Sequence, residues 1–155
     1  MDEDDPSGIC ARESSYLGRY VQLGIAGDRV VSVSFPPSPE DDAAADHPVL
    51  DRIQAYLQSE EEDFADVTIG LTVPTDRRAV LEAVREIPYG EQLSVERVTG
   101  TVADLDPEDG EDLDLVRTAL AENPVPLLIP DHRVRDGPSG APPPVEQRLR
   151  SVEGL

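Results

Sequence analysis

The sequence has no lysine, no tryptophan and a single cysteine, Cys10. One cysteine excludes an intramolecular disulfide and favours a reducing compartment. No segment approaches the roughly 18 consecutive apolar residues of a membrane-spanning helix, and the acidic beginning MDEDDPSG is unlike a signal peptide. The cysteine and histidines lack the spacing of a metal site. We therefore expect a cytoplasmic protein with no metal, no cofactor and no membrane partner.

Positive charge is also scarce, because 33 Asp and Glu residues oppose 13 arginines and the formal net charge is −20. A compact domain with this charge repels itself in dilute buffer. Molar salt removes most of that repulsion, since the Debye length falls to about 3 Å. The composition is therefore typical of a halophilic protein of archaeal type from a salt-rich cytoplasm. An acidic partner-binding protein from an ordinary cell is the alternative.

The acidity is confined to the first part of the chain. Residues 123–155 carry four acidic residues and four arginines, so the whole net charge lies in residues 1–122. Any surface that faces an anion is therefore expected in this last piece. Uneven surface charge without a function is the plainer interpretation.

The pattern of the first half predicts a small sheet with one helix. Alternating apolar and polar residues predict strands at 20–25 and 29–35, and the run 67–73 reads as a third strand. A helix capped by Asp46 lies before that third strand. Residues 1–13 are expected to form a loose acidic tail, so the N-terminal sheet domain spans 14–73.

The second half, 74–155, is predicted to be helical. Its periodicity indicates a helix capped by Thr75 or Asp76, a short helix at 94–102, a helix from about Asp112 to Glu122 and a last helix at about 145–152. Two short helices joined by an acidic loop suit a helix-turn-helix arrangement. The predicted fold class is α/β (α+β): a three-stranded sheet with a helix, followed by a helical, winged-helix-like unit.

Four strings in the second half carry a family resemblance: Ile87–Glu91 (IPYGE), Asn123–Pro130 (NPVPLLIP), His132–Val134 (HRV) and Glu153–Gly154 (EG). They resemble the IPYGE, NPxPxLIPCHRV and terminal EG segments of the O6-alkylguanine-DNA alkyltransferase family, over roughly half of the chain. The resemblance implies that the helix-turn-helix unit binds double-stranded DNA. In this family a cysteine thiolate takes the alkyl group from a guanine that is flipped out of the duplex.

The resemblance assigns three site residues and one departure. In the family a histidine linked to a glutamate helps to deprotonate the cysteine, and an asparagine supports the site. His132, Glu153 and Asn123 match these three residues. Asp131 stands where the nucleophilic cysteine belongs.

Further departures concern the DNA contacts. By spacing, Val95 stands where the family has a tyrosine that helps to rotate the base, and Asp114 stands where it has the arginine that fills the vacated stack. The glycine-rich loop that shapes the alkyl pocket has become the proline-rich segment 137–144. The other residues that we assign to substrate or DNA binding on this resemblance are Tyr89, Arg117, Arg133, Arg135 and Ser139.

Each of these residues also has a purely structural interpretation. A hydrogen bond between His132 and Glu153 would tie the last helix to a loop without any chemistry. Asn123 can cap the turn before a proline. The acids at 111–114 can stabilise a helix N-terminus, and the arginines can pair with the abundant acids.

A carboxylate is a much weaker nucleophile than a thiolate. We therefore expect a monomeric alkyltransferase-like protein that recognises O6-alkylguanine in DNA without accepting the methyl group, and that flags the lesion for a repair partner. One alternative is a binding module on the same fold that no longer binds DNA and instead binds a small molecule or a protein. Another is a dealkylase, in which Asp131 forms an ester that water activated by His132 and Glu153 hydrolyses. Methyl transfer to Cys10 is a further alternative.

Overall fold

The computed structural model describes residues 8–155. Three antiparallel strands open it, β1 (Gly8–Ser14), β2 (Arg19–Ala26) and β3 (Arg29–Ser34), in the spatial order β1-β2-β3. Cys10 pairs with Leu23, and Leu23 pairs with Val33. These buried side chains therefore share one face of the sheet. The predicted α/β class is confirmed, since five helices follow this sheet.

The predicted third strand at 67–73 is wrong in position. That segment makes one isolated bridge, between Val30 and Ile69, whereas every residue of β1 has a partner on β2. The predicted loose tail is therefore a strand over residues 8–13. Residues 1–7 of that tail lie outside the described part of the chain.

The helices are α1 (Pro48–Leu57), α2 (Thr75–Arg85), α3 (Val95–Thr101), α4 (Gly110–Ala121) and α5 (Pro143–Glu153), with a 3-10 turn at Asp131–Arg133 between α4 and α5. No helix within residues 8–155 is both long and apolar enough to cross a bilayer.

The starts of several helices differ from the prediction by one or two residues. His47, not Asp46, caps α1 by accepting a hydrogen bond from the backbone N–H two residues later at 3.1 Å. α4 begins at Gly110, two residues before the predicted start at about Asp112, and Asp109 caps it in the same way at 2.8 Å. α2 begins at Thr75 without a side-chain cap. These caps satisfy N–H groups that have no partner inside the helix.

One continuous cluster of buried apolar side chains runs from the sheet to the C-terminal helices. Among its members with essentially no exposed surface are Leu23, Tyr56, Leu81, Leu120 and Leu149. Each buried leucine contributes about 2 kcal/mol relative to an exposed one. The sheet and the helical half therefore share a core, and the division at residue 74 stays a prediction.

The predicted wing is not seen among residues 74–155, which form isolated bridges but no strand. One bridge joins Leu93 to Val134. The Leu93 amide donates to the carbonyl of Arg133, and the Arg135 amide donates to the carbonyl of Leu93, both at 2.9 Å. This bridge fixes the start of α3 beside the 3-10 turn.

Candidate functional site

The candidate site begins where α4 ends, at Asn123. Pro124 cannot continue the helix, and the Asn123 side chain organises the turn that follows. Its Oδ1 accepts from the Val125 amide at 2.9 Å. Its Nδ2 donates to the Ile129 carbonyl at 3.1 Å and to Asp131 Oδ2 at 2.9 Å. These bonds fold the segment back and bring Asp131 into the interior.

Asp131 is completely enclosed, with 0 % exposure. Ser139 Oγ donates to its Oδ1 at 2.6 Å, and the Gly140 amide donates to its Oδ2 at 2.8 Å, beside the bond from Asn123. No arginine or histidine within residues 8–155 forms an ion pair with it. Burial raises the pKa of Asp131 to about 6, although the three hydrogen bonds act in the opposite direction.

Two glycines allow residues 137–142, here called the 137–142 loop, to pack closely over this carboxylate. A Cβ at Gly140 would lie 2.2 Å from the carbonyl oxygen of Asn123. A Cβ at Gly137 would lie 2.7 Å from Leu120 Cδ1. Any larger residue at either position would have to push the loop outwards.

A second buried cluster, the Glu153 cluster, surrounds the carboxylate of Glu153 at the end of α5. His132 Nε2 lies 2.6 Å from Oε2, and Arg133 Nε donates to Oε1 at 2.8 Å. The Gly90 amide and the Tyr56 hydroxyl on α1 also donate to this carboxylate. Burial raises the pKa of Glu153, but the bonds from His132 and Arg133 outweigh it and lower the pKa to about 2. Glu153 is therefore ionised, with Arg133 as its counter-charge.

The hydrogen bonds assign the tautomer of His132. An ionised Glu153 can only accept, so His132 carries its proton on Nε2. Its Nδ1 is then a bare acceptor, buried and without a partner in the described chain. Burial lowers the pKa of His132, although Glu153 acts to raise it. The imidazole is therefore neutral.

The site residues expected from sequence thus fall into two buried clusters. The first holds Asn123, Asp131 and Ser139. The second holds His132, Glu153, Arg133 and Tyr89, whose ring lies 5.7 Å from the Arg133 guanidinium. Across residues 8–155, no hydrogen bond joins the side chains of Asp131 and His132.

The helix pair α3–α4 carries more acidic than basic side chains, although Arg97 on α3 is exposed. Val95 on α3 is 1 % exposed and packs inside the protein. Asp114 and Arg117 are exposed on α4 and pair with each other at 3.2 Å. Glu111 and Asp112 lie in its first turn. The start of α4 is therefore anionic.

The four arginines of the last segment differ in their availability. Arg133 is 3 % exposed and belongs to the Glu153 cluster. Arg150 donates to the carbonyl of His132 at 3.0 Å, and the guanidinium of Arg148 lies over the ring of Tyr16. The side chain of Arg135 is exposed and has no hydrogen bond or ion pair to any residue in 8–155.

An open depression of about 500 Å³ lies beside the 137–142 loop. Its lining residues are Arg135, Gly137, Pro143, Pro144, Glu146, Gln147 and Arg150. Neither Asp131 nor His132 is among them, so both clusters are closed off from this depression.

Tyr56 is a residue of the Glu153 cluster that the sequence does not reveal. Its helical spacing with Val49 and Ile53 marks it as a core residue, and its ring is indeed 1 % exposed. Its hydroxyl, however, lies within hydrogen-bonding reach of both His132 and Glu153. The only sequence signal was a phenol on an apolar face, which usually needs a buried polar partner.

Comparisons with known proteins place this fold in a family. The model of the 6-O-methylguanine DNA methyltransferase, DNA binding domain matches residues 75–141. A methylated-DNA–protein-cysteine methyltransferase of Methanopyrus kandleri is 32% identical over 109 residues, which cover 69% of this chain and 78% of that protein. A DNA base-flipping protein of Thermus thermophilus is 33% identical over 107 residues, 68% of each chain.

A solved structure shows the same fold over nearly the whole chain. The crystal structure of Mycobacterium tuberculosis OGT in complex with DNA aligns with a TM-score of 0.70 at 22% identity, covering 95% of this chain and 91% of that one. On the identity and coverage of its relatives, the chain belongs to the 6-O-methylguanine DNA methyltransferase family.

Proposed function

We propose that this protein binds DNA and recognises O6-alkylguanine without accepting the alkyl group. The observation that carries the proposal is the enclosed carboxylate of Asp131, at the position that the resemblance assigns to the acceptor cysteine. It has 0 % exposure, and three donors occupy its two oxygens. A carboxylate in this setting holds the surrounding turn and loop in place and does not attack a substrate.

Alkyl transfer needs a nucleophile with a lone pair free to reach an sp3 carbon. An attack by Asp131 would first break at least one hydrogen bond to a charged group, each worth about 1.5–3 kcal/mol. The resulting carboxylate would still be a weaker nucleophile than a thiolate. The dealkylase alternative meets the same barrier, and Nδ1 of its proposed base, His132, is buried away from the water that it would have to activate.

Cys10 is a poor substitute acceptor. It lies on β1, paired with Leu23, and is 9% exposed. Burial raises the pKa of its thiol, so the nucleophilic thiolate is disfavoured.

DNA binding is supported by what the relatives are known for. The Thermus relative is named a DNA base-flipping protein, and the Mycobacterium structure holds DNA. A protein can extrude a base and read it without reacting with it. We therefore infer that residues 74–155 are the DNA-binding unit. Arg135 and Arg97 are its candidates for a phosphate contact, because both side chains are exposed and unpaired within the described residues.

The acidic start of α4 favours a second candidate, a module that has left DNA for a protein or small molecule. Glu111, Asp112 and Asp114 would repel phosphates, and Arg117 is already paired. The second candidate therefore predicts negligible binding to DNA, with or without the lesion, at any salt concentration.

We also propose that the protein works in a salt-rich cell. A net charge of −20 without any lysine supports this environment. Molar salt would screen both the self-repulsion and the repulsion between α4 and phosphates.

The test is binding, in molar KCl, of a labelled duplex with one O6-methylguanine beside the same unmodified duplex. We expect the lesion duplex to bind at least about 10-fold more tightly, equivalent to about 1.4 kcal/mol. Arg135→Ala should weaken binding to both duplexes, because a phosphate contact is independent of sequence. Arg29→Ala removes an exposed arginine from the N-terminal sheet and is the matched control.

Two outcomes would reject the proposal. Equal, negligible binding to both duplexes would favour the module that has left DNA. A protein heavier by one methyl group after incubation, as seen by mass spectrometry, would show that an acceptor exists after all.

A further inference from the structure

Access to the candidate site requires a movement, since Asp131 and His132 both have 0 % exposure. The 137–142 loop is the outer layer over Asp131, and its Gly140 is exposed. The other segments around Asp131 carry core residues such as Leu120 and Leu128, which have 0 % exposure. Displacing the loop therefore uncovers less apolar surface than displacing either of those segments.

The hydrogen bonds that hold the loop converge on one side chain. Ser139 Oγ and the Gly140 amide both donate to Asp131, at 2.6 and 2.8 Å. Asn123 holds the same carboxylate from the end of α4 at 2.9 Å. Within residues 8–155, the loop's other bonds to its surroundings are a long bond of 3.4 Å from the Gly137 amide and, at its far end, two bonds that the Pro142 carbonyl accepts from the first turn of α5. Asp131 is thus the main polar tether between the loop and the body of the protein.

The loop is also built to move as a piece. Pro138 and Pro142 restrict its backbone and contribute no N–H groups that would lose partners on opening. The Ala141 amide donates to Ser139 Oγ at 3.0 Å, so an internal turn persists without Asp131. Opening therefore breaks few bonds apart from the two at Asp131.

We propose that Asp131 is the catch of a lid formed by the 137–142 loop, that is, the side chain whose hydrogen bonds hold the loop closed, and that the lid must be released before a ligand can reach the buried space around Asp131. The residue in the nucleophile's position thus acts as an autoinhibitory contact. Only the identity of the ligand, a flipped-out alkylated base, rests on the proposed function. The closed lid lowers the apparent affinity in proportion to the fraction of open molecules.

The catch can be tested without DNA, by amide hydrogen exchange measured residue by residue with NMR. Ser139→Ala removes the hydrogen bond to Oδ1, together with the internal bond from the Ala141 amide, and leaves the carboxylate in place. Asp131→Asn keeps the shape but replaces the charged acceptor with a neutral amide, which weakens the hydrogen bonds that hold the loop. We expect the Gly140 amide to exchange about 10- to 100-fold faster in both variants. The amides of Val80 and Val84 in α2 should keep their wild-type rates.

Asp136→Asn is the matched control. It removes a negative charge just before the loop, from an exposed side chain whose Oδ1 accepts from the Val95 amide at 2.7 Å. The asparagine can still accept that bond. Gly140 should therefore exchange in this variant as it does in the wild type.

Exchange at Gly140 that is unchanged in both test variants would overturn the catch. Equal acceleration at Gly140 and in α2 in both variants would also overturn it, because that pattern reports global unfolding and no local lid.

Binding kinetics test the second half of the proposal. If release precedes binding, the association rate constant for the lesion duplex should rise in Asp131→Asn with the open fraction. An unchanged association rate beside accelerated Gly140 exchange would overturn the requirement for release. If neither wild type nor variant binds the duplex, the proposed function fails, while the exchange result on the catch still stands.

Discussion

Two buried carboxylates of the candidate site, Asp131 and Glu153, ionise differently because their donors differ. Glu153 has a guanidinium beside it, and its pKa falls to about 2 despite burial. Asp131 is held by neutral donors only, and burial raises its pKa to about 6. One carboxylate is thus part of an ion pair, whereas the other is an uncompensated charge.

This difference predicts that Asp131 makes the free energy of unfolding depend on pH in an unusual direction for a carboxylate. Its pKa is about 6 in the folded chain against 3.8 unfolded, so the folded chain binds the proton more tightly. Its contribution to stability is fully present below the unfolded pKa and is lost as the pH rises through 6. The free energy of unfolding of the wild type, minus that of Asp131→Asn, should therefore fall by about 3 kcal/mol between roughly pH 3.5 and pH 7.

Urea denaturation across this range measures the difference. Asp136→Asn is the control, because its carboxylate is exposed. If the difference in unfolding free energy between wild type and Asp131→Asn does not change with pH, then Asp131 keeps an ordinary pKa in the folded state.

The Glu153 cluster predicts a large loss when its carboxylate is neutralised. Glu153→Gln leaves the buried Arg133 without a counter-charge, which should cost about 3–5 kcal/mol of unfolding free energy. Glu122→Gln removes an exposed partner of Arg77 at the surface and should cost less than about 1 kcal/mol. Similar losses in the two variants, measured by urea denaturation, would contradict the buried ion pair.

At this scale, sequence reasoning finds residues that lie near one another in the chain or within a motif. Asn123 and Asp131 are eight positions apart, and their bond follows from one tight turn. The partnership of Tyr56 with Glu153 spans 97 positions. It depends on how α1 docks against α5, which no local pattern encodes.

At the scale of elements, the helices were predictable because their apolar faces repeat with the helical period. The strands were harder to predict, because a segment forms a strand only when another segment pairs with it. Residues 67–73 have the composition of a strand, yet they make only two backbone hydrogen bonds to β3. The Val30 amide donates to the Thr68 carbonyl, and the Gly70 amide donates to the Val30 carbonyl. β1 lacks a clear alternation but pairs along its whole length with β2. Tertiary context therefore overrode local propensity.

The loop packing predicts the effect of a single methyl group at Gly140. In Gly140→Ala the new Cβ would lie 2.2 Å from the Asn123 carbonyl oxygen, so the loop must lift. We expect a loss of about 1–3 kcal/mol in unfolding free energy. Gly110→Ala is the control, because a Cβ at that position meets no atom within 4 Å.

Thermal or urea unfolding of both variants measures this effect. The alanine at Gly110 should be neutral or slightly stabilising, since it starts α4. An unchanged unfolding free energy in Gly140→Ala would mean that the loop does not pack closely against the Asn123 carbonyl.

At the scale of the whole molecule, the charge of −20 dominates. Self-repulsion opposes the compact state and is screened by salt. The melting temperature should therefore rise by about 5 °C or more between about 0.1 M and 2 M KCl. A melting temperature that does not change over this range, measured by calorimetry, would contradict a salt-adapted protein.

The most direct measurement of the central claim is the fate of the methyl group in an isolated complex with an O6-methylguanine duplex in molar KCl. Mass spectrometry of the protein and of the digested DNA reads both possible positions. We expect a stable complex in which the protein mass is unchanged and O6-methylguanine is recovered in full. Unmodified guanine in the DNA, with the methyl group on the protein or released into solution, would contradict recognition without transfer.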